Sequence, residues 1–320
     1  MLRRSFILGA PLLGIAMSGP PSPARADDPE TRLVLATATP GGSFPAFGQA
    51  LADVVHRVDP GLTLVPMPSK GSQENLALLR AGTVDLALVQ GDYAYDALAA
   101  GLAPGEGLAP GEGLSVAAPV SASPGLFVVP AGSPIRRVDD LRGKRIALGT
   151  HASGLTTMGR MVLRGSGIDP ERDIEPILLD RAGDGAVMVL DGRAAALWGA
   201  GTGWPGFRIL ADAPEGARFF GPAPEAIARI LSLHPSLRRV TVPAGALKGQ
   251  DAPIDTVGSW SFILARPGLD AGAVARLVRA MDRGYPPAAD PNPRNLAAAV
   301  PPAWLHPASA AYLRDSGAAR

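Results

Sequence analysis

Two rhythms alternate along this chain: short unbroken apolar runs, and stretches whose apolar residues recur at helical spacing. Arg32 to Thr37 is an apolar run that ends at the turn Pro40-Gly41-Gly42-Ser43-Phe44. Phe47, Leu51, Val54, Val55 and Val58 then share one helical face before Pro60-Gly61 closes the segment. Leu62 to Met67 predicts a second strand, Glu74 to Arg80 a helix ended by Gly82, and Val84 to Gln90 a third strand. Runs this continuous suit a parallel sheet covered on both faces.

The second half repeats the order. Leu126 to Pro130 predicts a strand, Ile146 to Gly149 another, and a loop over Gly149 to Thr157 opens a helix from about Thr156 to Leu163 that Gly165 and Gly167 stop. Ile174 to Leu178 and Ala194 to Trp198 predict strands flanking a helix around Asp184 to Leu190. Thr256 to Ala265 is long enough to carry the chain back to the first sheet, and Ala271 to Met281 places Val274, Leu277, Val278 and Met281 on one face. This order predicts an α/β fold of two lobes joined by crossing strands, with ligand sites facing each other across a cleft. The expected division is residues 27–123 with 254–320 as lobe I and 124–253 as lobe II. Gly101-Leu102-Ala103-Pro104-Gly105-Glu106 recurs as Gly107 to Glu112; two copies without an apolar face read as a loop insertion.

The first residues bear on the compartment. Arg3-Arg4 precede an apolar stretch from Phe6 to Met17, and Ala24-Arg25-Ala26 is a small-x-small cleavage signal, so residues 1–26 read as a cleaved export signal of the twin-arginine or the general secretory type. The apolar run falls short of the roughly 18 residues a membrane span needs. Loss of Arg3, Arg4 and Arg25 leaves 27 basic and 29 acidic residues, a net charge of −2 that argues against nucleic-acid binding. The absence of cysteine excludes disulfides, thiolate metal sites, a cysteine nucleophile and a lipidated N-terminus; a chain of this size forms a core without bridges.

Candidate chemistry concentrates where strands give way to helices. Gly41-Gly42-Ser43-Phe44 and Gly71-Ser72-Gln73-Glu74-Asn75 place hydroxyls and free N–H groups at helix starts, an arrangement that grips anions. A glycine turn with a serine cap would show the same letters. His56, His151, His234 and His306 lack the spacing of a zinc site, no Gly-x-Ser-x-Gly elbow occurs, and the neighbouring pairs Asp27-Asp28 and Asp139-Asp140 have diverging side chains, so catalysis is not expected. Gly201-Thr202-Gly203-Trp204-Pro205-Gly206 fits the letters of a dinucleotide loop, but Pro205 and the lack of an ensuing predicted helix argue against one.

Leu35 to Phe44, Gly71 to Gln90, Tyr93-Ala94-Tyr95-Asp96, Leu141 to Gly149 and Leu305-His306-Pro307 to Tyr312, taken in order, resemble the TAXI solute receptors, the extracytoplasmic proteins of TRAP transporters. The resemblance implies a monomeric periplasmic receptor with a type II two-lobed binding-protein fold and no cofactor. Such a receptor delivers a small organic anion, such as a dicarboxylate or an amino acid, to a membrane permease. It also implies ligand contacts from Gly41, Gly42, Ser43, Phe44, Ser72, Asn75, Gln90 and Asp92 in the first lobe, with Gly91 where the family has serine. In the second lobe it implies Ser153, Gly154, Thr156 and Thr157, and His151 would add a pH-sensitive partner if it enters the cleft. Trp198 and Trp204 are candidate cleft walls, and His306-Pro307 is expected to be structural. Receptors of ATP-driven ABC importers for sulfonates, phosphonates or pyrimidine precursors share the fold, as do ligand sensors for membrane kinases. Ser43→Ala and Asn75→Ala are expected to weaken ligand binding while leaving the melting temperature of the free protein nearly unchanged.

Overall fold

The structure is a computed structural model that describes residues 31–100 and 113–318; the expected export signal at residues 1–26 and the Gly101–Glu112 repeat lie outside the described residues. β1 (Thr31–Ala36) leads into α1 (Ser43–Val58), β2 (Leu62–Met67) into α2 (Ser72–Arg80), and β3 (Leu86–Gln90) directly into α3 (Gly91–Ala100). β1 pairs in parallel with both β2 and β3. The two-residue period of the strands divides their side chains between two cores. Leu33, Leu35, Leu86 and Leu88 pack with Leu51 and Val55 of α1, whereas Ala36, Ala87 and Val89 face Leu76 and Leu79 of α2. β3 starts at Leu86 rather than Val84 because Asp85 is held aside, accepting from the Val34 N–H at 3.0 Å and pairing with Arg266 at 3.1 Å.

β4 (Ser115–Pro130) is far longer than the run from Leu126 that the sequence suggests. Pro119, Ser121, Ser123 and Pro124 break its apolar signal, and the register shifts opposite Ser261 and Phe262, where a bulge accommodates the proline-containing stretch. The chain continues through β5 (Arg145–Thr150), α4 (Gly154–Gly165), β6 (Glu175–Leu179), α5 (Asp184–Leu190), β7 (Ala196–Ala200), α6 (Pro205–Asp212), β8 (Ala217–Phe220), α7 (Pro224–Leu233) and β9 (Arg238–Val242). β10 (Ile254–Ala265) returns to the first lobe, followed by α8 (Ala271–Gly284), α9 (Leu296–Ala299) and α10 (Pro307–Asp315).

The strand path β2-β1-β3-β10-β4-β7-β5-β6 runs through both lobes, with β8 on β4 and β9 on β10. β4 and β10 are the crossing strands. β4 pairs with β10 as far as Pro124 and then, from Gly125, with β7 and β8; β10 pairs with β9 up to Gly258 before joining β4 and β3. At Gly258 the two backbones approach so closely that a Cβ would stand 2.6 Å from the Ser123 carbonyl oxygen, which explains the residue at the crossing. The second lobe repeats the two-faced core. Ile146 and Leu148 pack with Phe127, Trp198 and α4, and Ala147 packs with Leu197, Trp204 and Phe207. The result is a two-lobed α/β periplasmic-binding-protein fold with a mixed sheet.

The Gly201–Gly206 segment does open a helix, α6, with Pro205 at its first turn, contrary to the expectation that none follows. The Trp204 ring packs over it. A Cβ on Gly199 would stand 2.2 Å from that ring and one on Gly206 2.9 Å, so indole occupies the space a nucleotide phosphate would need.

Candidate functional site

Three strand-to-helix connections of the first lobe, three of the second and the two crossing strands enclose a cavity of about 60 Å³ between the lobes. The β1–α1 turn contributes Thr39, Gly42, Ser43 and Phe44; the β2–α2 turn contributes Lys70, Gly71 and Ser72; and Gln90 ends β3 beside them. Thr150, Ser153 and Leu155 come from the β5–α4 turn, Ala182 precedes α5, and Ala200 and Trp204 flank the β7–α6 connection. Ser123 and Ser261 line it from the crossing strands β4 and β10. Among the described residues the lining carries seven hydroxyls, the Gln90 amide and one ammonium, Lys70, and no carboxylate.

The lobes touch around this cavity. The Ala182 N–H donates to Thr39 Oγ1 at 3.4 Å, the Gln73 N–H to the Ala152 carbonyl at 3.4 Å, and Tyr93 Oη lies 3.2 Å from Thr157 Oγ1. Gly41, at φ +84°, meets Gly183 of the other lobe so closely that a Cβ would stand 2.5 Å from the Gly183 Cα. This is a closed cleft.

Among the residues expected at the site, Gly42, Ser43, Phe44, Ser72, Gln90 and Ser153 line the cavity. Ser43 is exposed, and the N-cap of α1 is Gly42, so the hydroxyl is not spent on capping. Ser72 does not cap either. Gly71 is the N-cap of α2, and Ser72 Oγ accepts the Gln90 N–H at 3.1 Å, tying α2 to the end of β3. Glu74 accepts the Lys70 N–H at 2.5 Å and places a negative charge in the first turn of α2.

The other expected residues sit apart from the cavity lining. Asn75 is fully buried, its amide donating to the Thr37 and Leu88 carbonyls at 2.8 and 2.7 Å, so it fastens α2 across β1 and β3. Thr156 Oγ1 donates to the Thr150 carbonyl at 2.7 Å, and Gly154 packs beside Gln90 as the first residue of α4. Thr157 meets Tyr93 across the lobes, Gly41 meets Gly183, and His151 is exposed on its turn. Trp198 is buried against Phe127 and donates its indole N–H to the Leu155 carbonyl at 2.8 Å; Trp204 is the tryptophan at the cavity wall. Asp92 is buried at the start of α3 with neither carboxylate oxygen hydrogen-bonded. Burial raises its pKa to about 7, and the nearby N–H of Tyr93 offsets only part of that shift. His306 caps α10, its Nδ1 accepting the Ala308 N–H at 3.2 Å, which gives His306-Pro307 a structural place.

Sequence reasoning missed Thr39, Ser123, Thr150 and Ser261 as lining residues. A signal was present for two of them: Ser121, Ser123, Ser259 and Ser261 are polar interruptions in strands otherwise written in apolar letters.

No helix of the described residues is long and apolar enough to cross a membrane. A sequence model described as the NMT1-like family matches residues 35–317. No curated protein matches the chain. A solved structure described as a periplasmic transporter is similar at 15% identity over 79% of this chain and 82% of that one, with a TM-score of 0.53. A structure from Bordetella bronchiseptica RB50 is similar at 15% identity over 90% of this chain and 81% of that one, with a TM-score of 0.51. The periplasmic aliphatic sulphonate binding protein of Escherichia coli is similar at 18% identity over 79% and 74%, with a TM-score of 0.44.

Proposed function

The chain belongs to the NMT1-like family, and we propose that it is an exported solute-binding receptor that closes on a small organic anion and presents it to a membrane importer. One observation carries this reading: among the described residues, the cavity where the lobes meet is lined by hydroxyls, an amide and one ammonium, and by no carboxylate. Such a set desolvates and holds a single negative charge through directed neutral donors, with Lys70 supplying the countercharge. A dianion would leave its second charge without a matched cation in this lining, so the ligand is a monoanion with a carboxylate or sulfonate head or a singly ionised phosphonate. The mechanism is capture by closure. Residues 27–123 with 254–320 and residues 124–253 act as the two lobes, β4 and β10 flex between them, and the ligand is enclosed when the β1–α1 turn meets the β6–α5 turn and the β2–α2 turn meets the β5–α4 turn.

The partner we propose is an ATP-driven ABC importer. Membership of the NMT1-like family supports this partner. The ordered TAXI-like motifs keep a TRAP permease as the second reading. Thermal unfolding of the refolded, ligand-stripped mature protein against carboxylates, sulfonates, phosphonates and amino acids tests the receptor role, since a native-state ligand raises the melting temperature by mass action. A rise with a monoanion, reduced in Lys70→Ala, is the expected result; no rise across the panel overturns the reading. Uptake into vesicles carrying the importer, driven by internal ATP or by an ion gradient, separates the two partners.

A further inference from the structure

The inner cavity does not end the cleft. A second chamber of about 290 Å³ adjoins it and shares Ser43, Phe44, Ser123, Ala200 and Trp204 as a common wall. Its sides combine apolar surface from Phe44, Phe47, Val120, Trp204 and Pro205 with the hydroxyls of Ser43, Ser121, Ser123 and Thr202. Its outer end holds a carboxylate, Asp290, the one acidic residue in its lining. That carboxylate is positioned rather than adrift. Asp290 Oδ2 accepts the Ala122 N–H at 3.1 Å, and the Asp290 carbonyl accepts from the Asn295 side chain at 3.1 Å. Asn295 also holds the Ala289 carbonyl at 2.9 Å, so the loop before α9 is fixed on both sides of the acid. No salt bridge joins Asp290 to a cation among the described residues.

Ala122, which anchors Asp290, is the strand neighbour of Ser123, a residue of the shared wall. One to two residues of extended strand, roughly 3–7 Å, therefore separate the inner cavity from the acid. The cleft thus carries a cation, Lys70, in the lining of the first cavity and a fixed anion, Asp290, in that of the second, with Phe44, Trp204, Ala200, Ser43 and Ser123 in the wall between them.

We propose that the outer chamber is a tail subsite and that Asp290 selects ligands with a cationic or strongly donating end: the preferred solute is a zwitterionic ω-amino alkyl carboxylate or sulfonate, with its anionic head in the inner cavity and its ammonium at Asp290. The inference rests on the receptor reading and names the substrate class of that site. Asp290 is exposed, so its attraction for an ammonium is screened, and a preference of about five-fold over the uncharged tail is the appropriate scale.

The test is calorimetric titration of the refolded, ligand-stripped mature protein with propionate, hexanoate and 6-aminohexanoate, and with the corresponding sulfonates, for the wild type, Asp290→Asn and Lys70→Ala. The asparagine oxygen still accepts the Ala122 N–H, so this variant removes the charge and keeps the anchor. The expected result is tighter binding of the amino-tailed anion than of its alkyl counterpart by about five-fold, a ratio near one in Asp290→Asn with alkyl affinity unchanged, and weaker binding of every anion in Lys70→Ala. A wild-type ratio of one or less, or a ratio that survives Asp290→Asn, overturns the tail subsite while leaving the receptor standing. If no anion of either series binds, the receptor reading itself fails and this inference fails with it.

Discussion

The β1–α1 turn and the β2–α2 turn are written in nearly the same letters, glycine then serine at the start of a helix, yet the structure uses them differently. In the first, Ser43 is exposed at the cavity and is not the cap of its helix. In the second, Ser72 and Asn75 are buried, and both reach across to neighbouring strands. In the proposed receptor the first turn keeps its hydroxyl free for a guest, whereas the second spends the polar groups of Ser72 and Asn75 on joining α2 to β1 and β3 and brings Lys70 to the cavity lining. A polar side chain beside a helix start is a binding group only when nothing in its own fold has already claimed it.

The comparison can be broken most severely at the buried end. Asp92 lies two residues beyond Gln90, and its pKa stands at about 7 against an ordinary 3.8 because burial opposes its charge. As pH climbs between those values the unfolded chain gives up this proton and the folded chain keeps it. Stability therefore falls by about 1.4 kcal/mol per pH unit until about pH 7 and is level above it. Urea unfolding across pH 4–8 should show this decline, and Asp92→Asn should flatten it and be the more stable protein at pH 8; parallel curves for the two proteins would remove Asp92 as the cause.

Asn75→Ala comes next. It deprives two buried carbonyls of their amide partner and is expected to cost about 2–3 kcal/mol of stability in denaturant titration. This reverses the expectation drawn from sequence, that the variant would bind weakly and melt normally. A melting point equal to the wild type would erase the contrast between the two turns.

Lys70→Ala sharpens the comparison from the other side. Its expected effect is about 1–2 kcal/mol on ligand binding, seen by calorimetry, with an unchanged melting temperature in the free protein. Ser43→Ala should be the mildest, at about 1 kcal/mol on binding. If Ser43→Ala destabilised the free protein as much as Asn75→Ala, the division into guest-facing and scaffold-facing turns would be wrong.

Much of the architecture was legible locally. The helix at Asp184–Leu190 matches the apolar spacing, and β1, β2 and β10 begin within two residues of the runs that announce them. β4 was mostly illegible, because Pro119 and Pro124 resemble loop punctuation until a bulge and a pairing partner in each lobe accommodate them. The candidate site divides similarly. Ser43, Ser72, Gln90 and Ser153 stood out by their place between strand and helix, but Ser123 and Ser261 meet only because β4 and β10 cross, and they are far apart in the chain.

What the sequence determined by itself is the order of strands and helices and the positions of the turns, since periodicity and glycine or proline punctuation act between near neighbours. Which polar groups face the cleft was decided by the tertiary structure alone. Asn75 and Ser43 have similar local settings, and only the pairing of β1 with β3, which brings the Thr37 and Leu88 carbonyls over α2, claims one and leaves the other free. Hydrogen bonds and burial depend on atoms brought together from distant parts of the chain, so no local pattern encodes them.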